Sequence, residues 1–115
     1  HAGVAPLPGD EVVLKHAPNA FFQTSLSGRL CEKGIGHLVI AGMMSHMCID
    51  TTVRSAKDLG FSVTLLEDAC ATKDLNWRGD LIPAKTVHAA IMAALNGTFA
   101  NVTTTEEYLN STETP

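Results

Sequence analysis

Residues 37–42, HLVIAG, are apolar throughout and do not alternate with polar positions, and the segment that follows, GMMSHMCIDTTVRSAKDLG, switches to helical spacing. The first pattern suits a strand of a parallel sheet, which is covered on both faces by crossover helices. The second aligns Ile49, Thr52, Val53, Ala56 and Leu59 on one face of a helix over residues 47–59, with Gly60 where a helix-ending glycine belongs. Strand, tight turn and helix in this order open a βαβ unit. That constrains the fold more than any other feature of the chain.

The neighbouring segments extend the same alternation. Residues 11–15 (EVVLK) read as a short strand, which Pro18 ends by forcing Ala17 out of helical conformation. A short helix over 25–33 stops at Gly34 and Gly36. Residues 62–67 (SVTLLE) form the next strand, and 68–82 a long polar loop. Pro83 opens a helix whose inner stripe is Val87, Ile91, Ala94 and Leu95. Residues 99–102 make a last strand. Residues 103–109 make a last helix, with Thr103 or Thr104 as its cap, Glu106 and Glu107 in its first turn, and a frayed tail behind it. The order β-α-β-α-β-α-β-α is that of an α/β fold with a parallel sheet.

Right-handed crossovers put these helices on one face of the sheet. Strands of the buried type then lack cover on the other face, so a preceding βαβ half or another chain is expected to supply it. The chain opens without Met on HAGVAPLPGDE, which reads as a loop already under way and points to a fragment.

Composition excludes several classes. At 115 residues the chain has room for one core, and 45% hydrophobic residues make it a folding chain. A net charge of −4 with no basic block argues against nucleic acid or an anionic membrane as partner. Three cysteines at irregular spacing, Cys31, Cys48 and Cys70, form neither a disulfide framework nor a CxxC metal pair, so a reducing, cytoplasmic compartment is expected. No apolar run approaches the ~20 residues of a membrane span.

The chemistry concentrates where the strand 37–42 ends. Ligands of open α/β sheets bind beyond the carboxyl ends of the strands, and Cys48 sits there at the start of a helix. The helix dipole and free N–H groups favour a thiolate and can hold an oxyanion. The plain alternative is a small buried apolar side chain. Lys15 ends the strand 11–15 at the same edge; alone it is surface charge, but beside Cys48 its ammonium would stabilise a thiolate. Ser45 and His46 invite a Cys–His dyad, yet residues two apart in a helical turn point apart, so His46 reads better as a turn or subunit-contact residue. His16, His37 and His88 read as structural, and Cys31 as a buried helix residue.

These segments resemble the isochorismatase-like cysteine hydrolases. VVLKHAPNAFFQTSL is similar to that family's lysine segment, and GMMSHMCIDTTVRSAKDLGFSVTLLEDACATKDL to its nucleophile segment and the strand after it. The likeness runs over about residues 11–109. It implies a three-layer, Rossmann-like α/β/α sandwich, with residues 1–115 forming the C-terminal part of one hydrolase domain. It implies Cys48 as nucleophile and Lys15 as the cationic member of an Asp-Lys-Cys set. The Asp would lie before His1; Asp10 precedes the wrong strand and Asp50 follows the nucleophile, so neither takes its place. By position, a non-proline cis peptide would fall at Met43–Met44 and bring the Met44 and Cys48 N–H groups together as an oxyanion hole. Phe22, Phe21, Asn19, Ser45 and Trp77 would line the substrate pocket, with core packing the plain alternative for the two phenylalanines and a subunit interface for Trp77, and Cys70 would be structural. No metal or cofactor is implied for these residues. The implied partners are a small amide or ureide, further copies in a dimer or tetramer, and the N-terminal half that covers the sheet. Family members that hydrolyse isochorismate lack the cysteine, so Cys48 favours the amidohydrolase branch. A non-catalytic assembly module and a thiol redox or sensor protein stay open beside it.

Overall fold

The structure, a computed structural model, describes residues 1–112. After a short 3-10 turn at Ala2–Val4, the elements are α1 (Leu26–Glu32), β1 (His37–Met43), a π-helical turn (Ser45–Ile49), α2 (Asp50–Asp58) and β2 (Ser62–Ala71). The hairpin strands β3 (Leu75–Trp77) and β4 (Asp80–Ile82) follow, then α3 (Ala84–Leu95), β5 (Asn101–Thr103) and α4 (Thr105–Thr112). β1, β2 and β5 form a parallel sheet in that order. The architecture is the expected α/β one. Among the described residues no helix is long and apolar enough to cross a membrane.

One core forms between the sheet and the helices α2 and α3. Ile49 from the π turn and Val53 and Ala56 from α2 meet Phe61, Val63, Leu65, Met92, Leu95 and Ala100. Leu65, Leu95 and Val53 are fully buried. Leu65 is the central side chain of the central strand, so Leu65→Ala should cost about 2–5 kcal/mol, read as a lowered urea midpoint of the full-length protein. A loss under about 1 kcal/mol would show that this is not the core.

The other face of the sheet is open, as the crossover argument requires. In parallel pairing His37, Val39 and Met43 share that face, and Val39 and Met43 are 41% and 64% exposed. His37 closes on Ser62 and Thr64 with ring nitrogens at 2.6 and 2.9 Å, a structural role.

Several expectations are corrected. Residues 11–15 form no strand and pair with none among the described residues, and Val12 and Leu14 are 65% and 77% exposed. A strand exists only with a ladder partner. What holds the segment instead is Glu11, paired with Lys33 at 2.8 Å and Arg29 at 4.0 Å on α1; Lys33 beside it lowers the Glu11 carboxyl below its ordinary value. Cys31 is exposed, because α1 buries no residue and only Leu30 reaches the core. α2 ends at Asp58, which leaves Leu59 in the cap and 50% exposed. On α3 the buried stripe runs through Val87, Met92 and Leu95, with Ala94 exposed at its edge. Residues 110–112 continue α4 and are not frayed; the rest of the tail lies outside the described residues.

The largest correction concerns residues 68–82. β2 continues through them to Ala71, with a bulge that sets Ile40 opposite Leu65 but Gly42 opposite Cys70. The chain then turns back as a hairpin whose two loop residues, Arg78 and Gly79, both have positive φ (52° and 87°), the geometry that a two-residue hairpin needs.

Candidate active site

The turn that carries Cys48 is assembled at the carboxyl end of β1. Gly42 has φ of 139°, which a side chain resists, and an added Cβ would approach Ile49 Cδ1 to 3.4 Å. The Met43–Met44 peptide is cis, where the family resemblance put it. A π turn follows and carries Cys48; the Ile49 N–H reaches back to the Met44 carbonyl. Cys48 therefore does not sit in the first turn of an ordinary α-helix, as its spacing predicts. It lies in a π turn that leads into α2, a feature common at functional sites.

The bulged end of β2 wraps this turn. Ser45 is fully buried, and its hydroxyl lies 2.8 Å from His88 Nδ1 on α3 and 3.4 Å from the Ala71 carbonyl. Burial requires those partners, and it directs Ser45 into the protein and not into an open pocket. His46 Nδ1 lies 2.7 Å from Thr72 Oγ1, so it holds the turn and forms no dyad with Cys48. Cys70 Sγ bonds to the Leu66 carbonyl at 3.3 Å. Burial pushes its thiol above the ordinary value; a hydrogen bond with the Gly42 backbone opposes the rise and the Asp68 charge adds to it.

Cys48 is half-buried, and Lys15 comes to it. Lys15 Nζ donates to Cys48 Sγ at 3.3 Å and to the Ala17 carbonyl at 2.9 Å. Among the described residues these are its hydrogen-bond partners, and no carboxylate takes part. The segment behind Lys15 is fastened to α2. Thr52 accepts from the Ala20 N–H at 3.0 Å and donates to the Pro18 carbonyl at 3.3 Å. Asn19 donates to Ser55 Oγ at 3.1 Å and accepts from the Phe21 N–H at 2.9 Å. Asn19, expected in the pocket, spends its amide on this fastening, and Thr52, expected on the core face, turns to the loop.

The two phenylalanines divide. Phe21 packs on the core and stacks on Phe61, with ring centroids 5.8 Å apart. Phe22 is 54% exposed and lines a small cavity of about 80 Å³ with His16, Ala17 and Gln23, next to the carbonyl that Lys15 grips. Trp77 is 65% exposed on the hairpin, under the Arg78 guanidinium at 5.4 Å.

Comparison with known proteins matches residues 1–107 to the isochorismatase domain. The chain belongs to the isochorismatase family. It is 53% identical over 109 residues to the uncharacterized isochorismatase family protein YddQ of Bacillus subtilis, covering 95% of this chain and 61% of YddQ. Over 68 residues it is 40% identical to the ureidoacrylate amidohydrolase RutB of Variovorax paradoxus, covering 59% of this chain and 27% of RutB. An isochorismatase structure from Pseudomonas putida superposes with a TM-score of 0.88 at 45% identity, covering 91% of this chain and 54% of that one. A cysteine hydrolase structure from Pseudomonas syringae superposes with a TM-score of 0.89 at 27% identity, covering 95% and 52%. This isochorismatase-family chain therefore spans about three fifths of the length of YddQ and about half of each of those two structures.

Proposed function

We propose that the complete protein is a cysteine hydrolase that cleaves a C–N bond of a small amide or ureide through a thioester on Cys48. The observation that carries this reading is the Lys15 ammonium 3.3 Å from the Cys48 sulfur, at the carboxyl edge of a parallel sheet. An ammonium there stabilises the thiolate, which is the nucleophilic form. The relatives agree in class: one is a ureidoacrylate amidohydrolase and a structural neighbour is a cysteine hydrolase.

In this mechanism an aspartate, which the family resemblance puts ahead of His1, takes the thiol proton. The Cys48 thiolate attacks the carbonyl carbon, and the carbonyl oxygen becomes an oxyanion facing the Met44 and Cys48 N–H groups. The C–N bond breaks, and the nitrogen leaves with the proton held by the aspartate. Water, deprotonated by the same carboxylate, then cleaves the thioester and frees the thiol. Phe22 lines the substrate side. The rest of the protein covers the open sheet face, and the assembly is a dimer or tetramer.

The test is ammonia release by the full-length protein from a panel of small primary amides and N-carbamoyl compounds. Turnover of at least one compound is expected. Reversible oxidation of Cys48 without turnover of any of them would favour a thiol sensor instead.

A further inference from the structure

Lys15 reaches Cys48 from a segment that has no ladder partner among the described residues and is largely exposed. A lysine on such a segment does not keep a sulfur contact by itself, since its four-carbon stem has many rotamers and its backbone has no sheet to fix it. Something else must set its position.

The nucleophile helix carries that device. Thr52 and Ser55 lie three apart on one face of α2, and Cys48 precedes them in the π turn that leads into it. All three contact the same stretch of chain in register: Cys48 meets Lys15, Thr52 meets Pro18 and Ala20, and Ser55 meets Asn19. Thr52 is the central tie. It uses its hydroxyl both as donor and as acceptor, clamping the backbone on either side of residue 19. Asn19 then locks the tip by bonding Ser55 with one end of its amide and the Phe21 N–H with the other. Lys15 itself closes onto the Ala17 carbonyl, one residue before the clamped Pro18.

We infer that Thr52 is a positioning residue that holds the Lys15 ammonium at the Cys48 sulfur by clamping residues 18–20 to the nucleophile helix, with the Asn19–Ser55 bond as its outer tie. This rests on the proposed role of Lys15 beside Cys48, but it can be read without any substrate.

The experiment follows the rate at which iodoacetamide alkylates Cys48 in the full-length protein between pH 6 and 9, read on the Cys48 peptide by mass spectrometry so that Cys31 and Cys70 do not contribute. Lys15→Met should slow the reaction at pH 7 by about tenfold. Thr52→Val keeps the shape and removes the hydroxyl; it should slow the reaction by about threefold or more. Thr52→Ser, which restores the hydroxyl, should match the unsubstituted protein. Ser55→Ala should give a smaller slowing in the same direction, and it provides a reading if Thr52→Val does not fold. In a Lys15→Met background, Thr52→Val should add nothing, because its action runs through the lysine.

The inference is overturned if Lys15→Met slows alkylation while Thr52→Val and Ser55→Ala leave it unchanged. It is also overturned if Thr52→Val slows it equally with and without Lys15. If Lys15→Met itself has no effect, the electrostatic role in the proposed function falls and the inference falls with it. If no amide is turned over but the alkylation pattern holds, the clamp stands and only the hydrolase reading fails.

Discussion

Replacing Cys48 with alanine in the full-length protein is expected to lower amide hydrolysis by about four orders of magnitude or more, with substrate binding little changed. In the proposed mechanism the sulfur is the atom to which the acyl group is transferred, so its removal leaves no covalent route, and what remains is binding and oxyanion stabilisation acting on water. Cys48→Ser should do little better. A hydroxyl keeps its proton far more tightly than a thiol, and an ammonium at 3.3 Å is too small a bias to ionise it at neutral pH. The fold should survive both changes, because Cys48 is only half-buried and lies outside the cluster that forms the core. Measuring kcat and KM together with thermal unfolding separates lost chemistry from lost structure. Unchanged stability with turnover within about tenfold of the original would remove Cys48 from the mechanism.

Lys15→Met carries the second largest effect. Two unit charges 3.3 Å apart interact by about 1–5 kcal/mol as the effective dielectric falls from that of water to about 20. Lys15 is exposed in this chain, which favours the lower part of that range. The expected loss is therefore about tenfold to hundredfold in kcat/KM. Raising the salt should reduce the advantage that Lys15 confers, because an exposed pair is screened. An equal loss at low and high salt would mean that Lys15 acts by contact with the substrate and not through the sulfur.

Much of the fold was legible because burial leaves a pattern. The apolar run before Gly42, the helical stripe of Ile49, Val53 and Ala56, and Pro83 ahead of α3 each carry their own local signature, and the structure places each as expected. The open sheet face was also legible, since it follows from crossover handedness alone. The failures share a cause: they depend on partners that local sequence does not name. Residues 11–15 have strand composition but no ladder. The residues after Glu67 look polar because the bulged end of β2 leaves the sheet interior to wrap the nucleophile turn. The hairpin turn at Arg78 and Gly79 had only one glycine to announce it. At the site, position at the carboxyl end of an apolar segment singled out Cys48 and Lys15, and the resemblance put the cis peptide at Met43–Met44, where it lies. Thr52, Ser55 and His88 could not be placed, since a hydroxyl or an imidazole on a helix looks the same whether it faces water or a specific backbone group.

The most direct measurement is the intact mass of the full-length protein quenched in acid during turnover of an amide substrate, followed by peptide mapping. The expected result is a mass increase equal to the acyl portion of the substrate, located on the Cys48 peptide, lost on treatment with hydroxylamine and absent from Cys48→Ala. An acyl group on any other residue, or turnover that continues in Cys48→Ala, would contradict a thioester on Cys48.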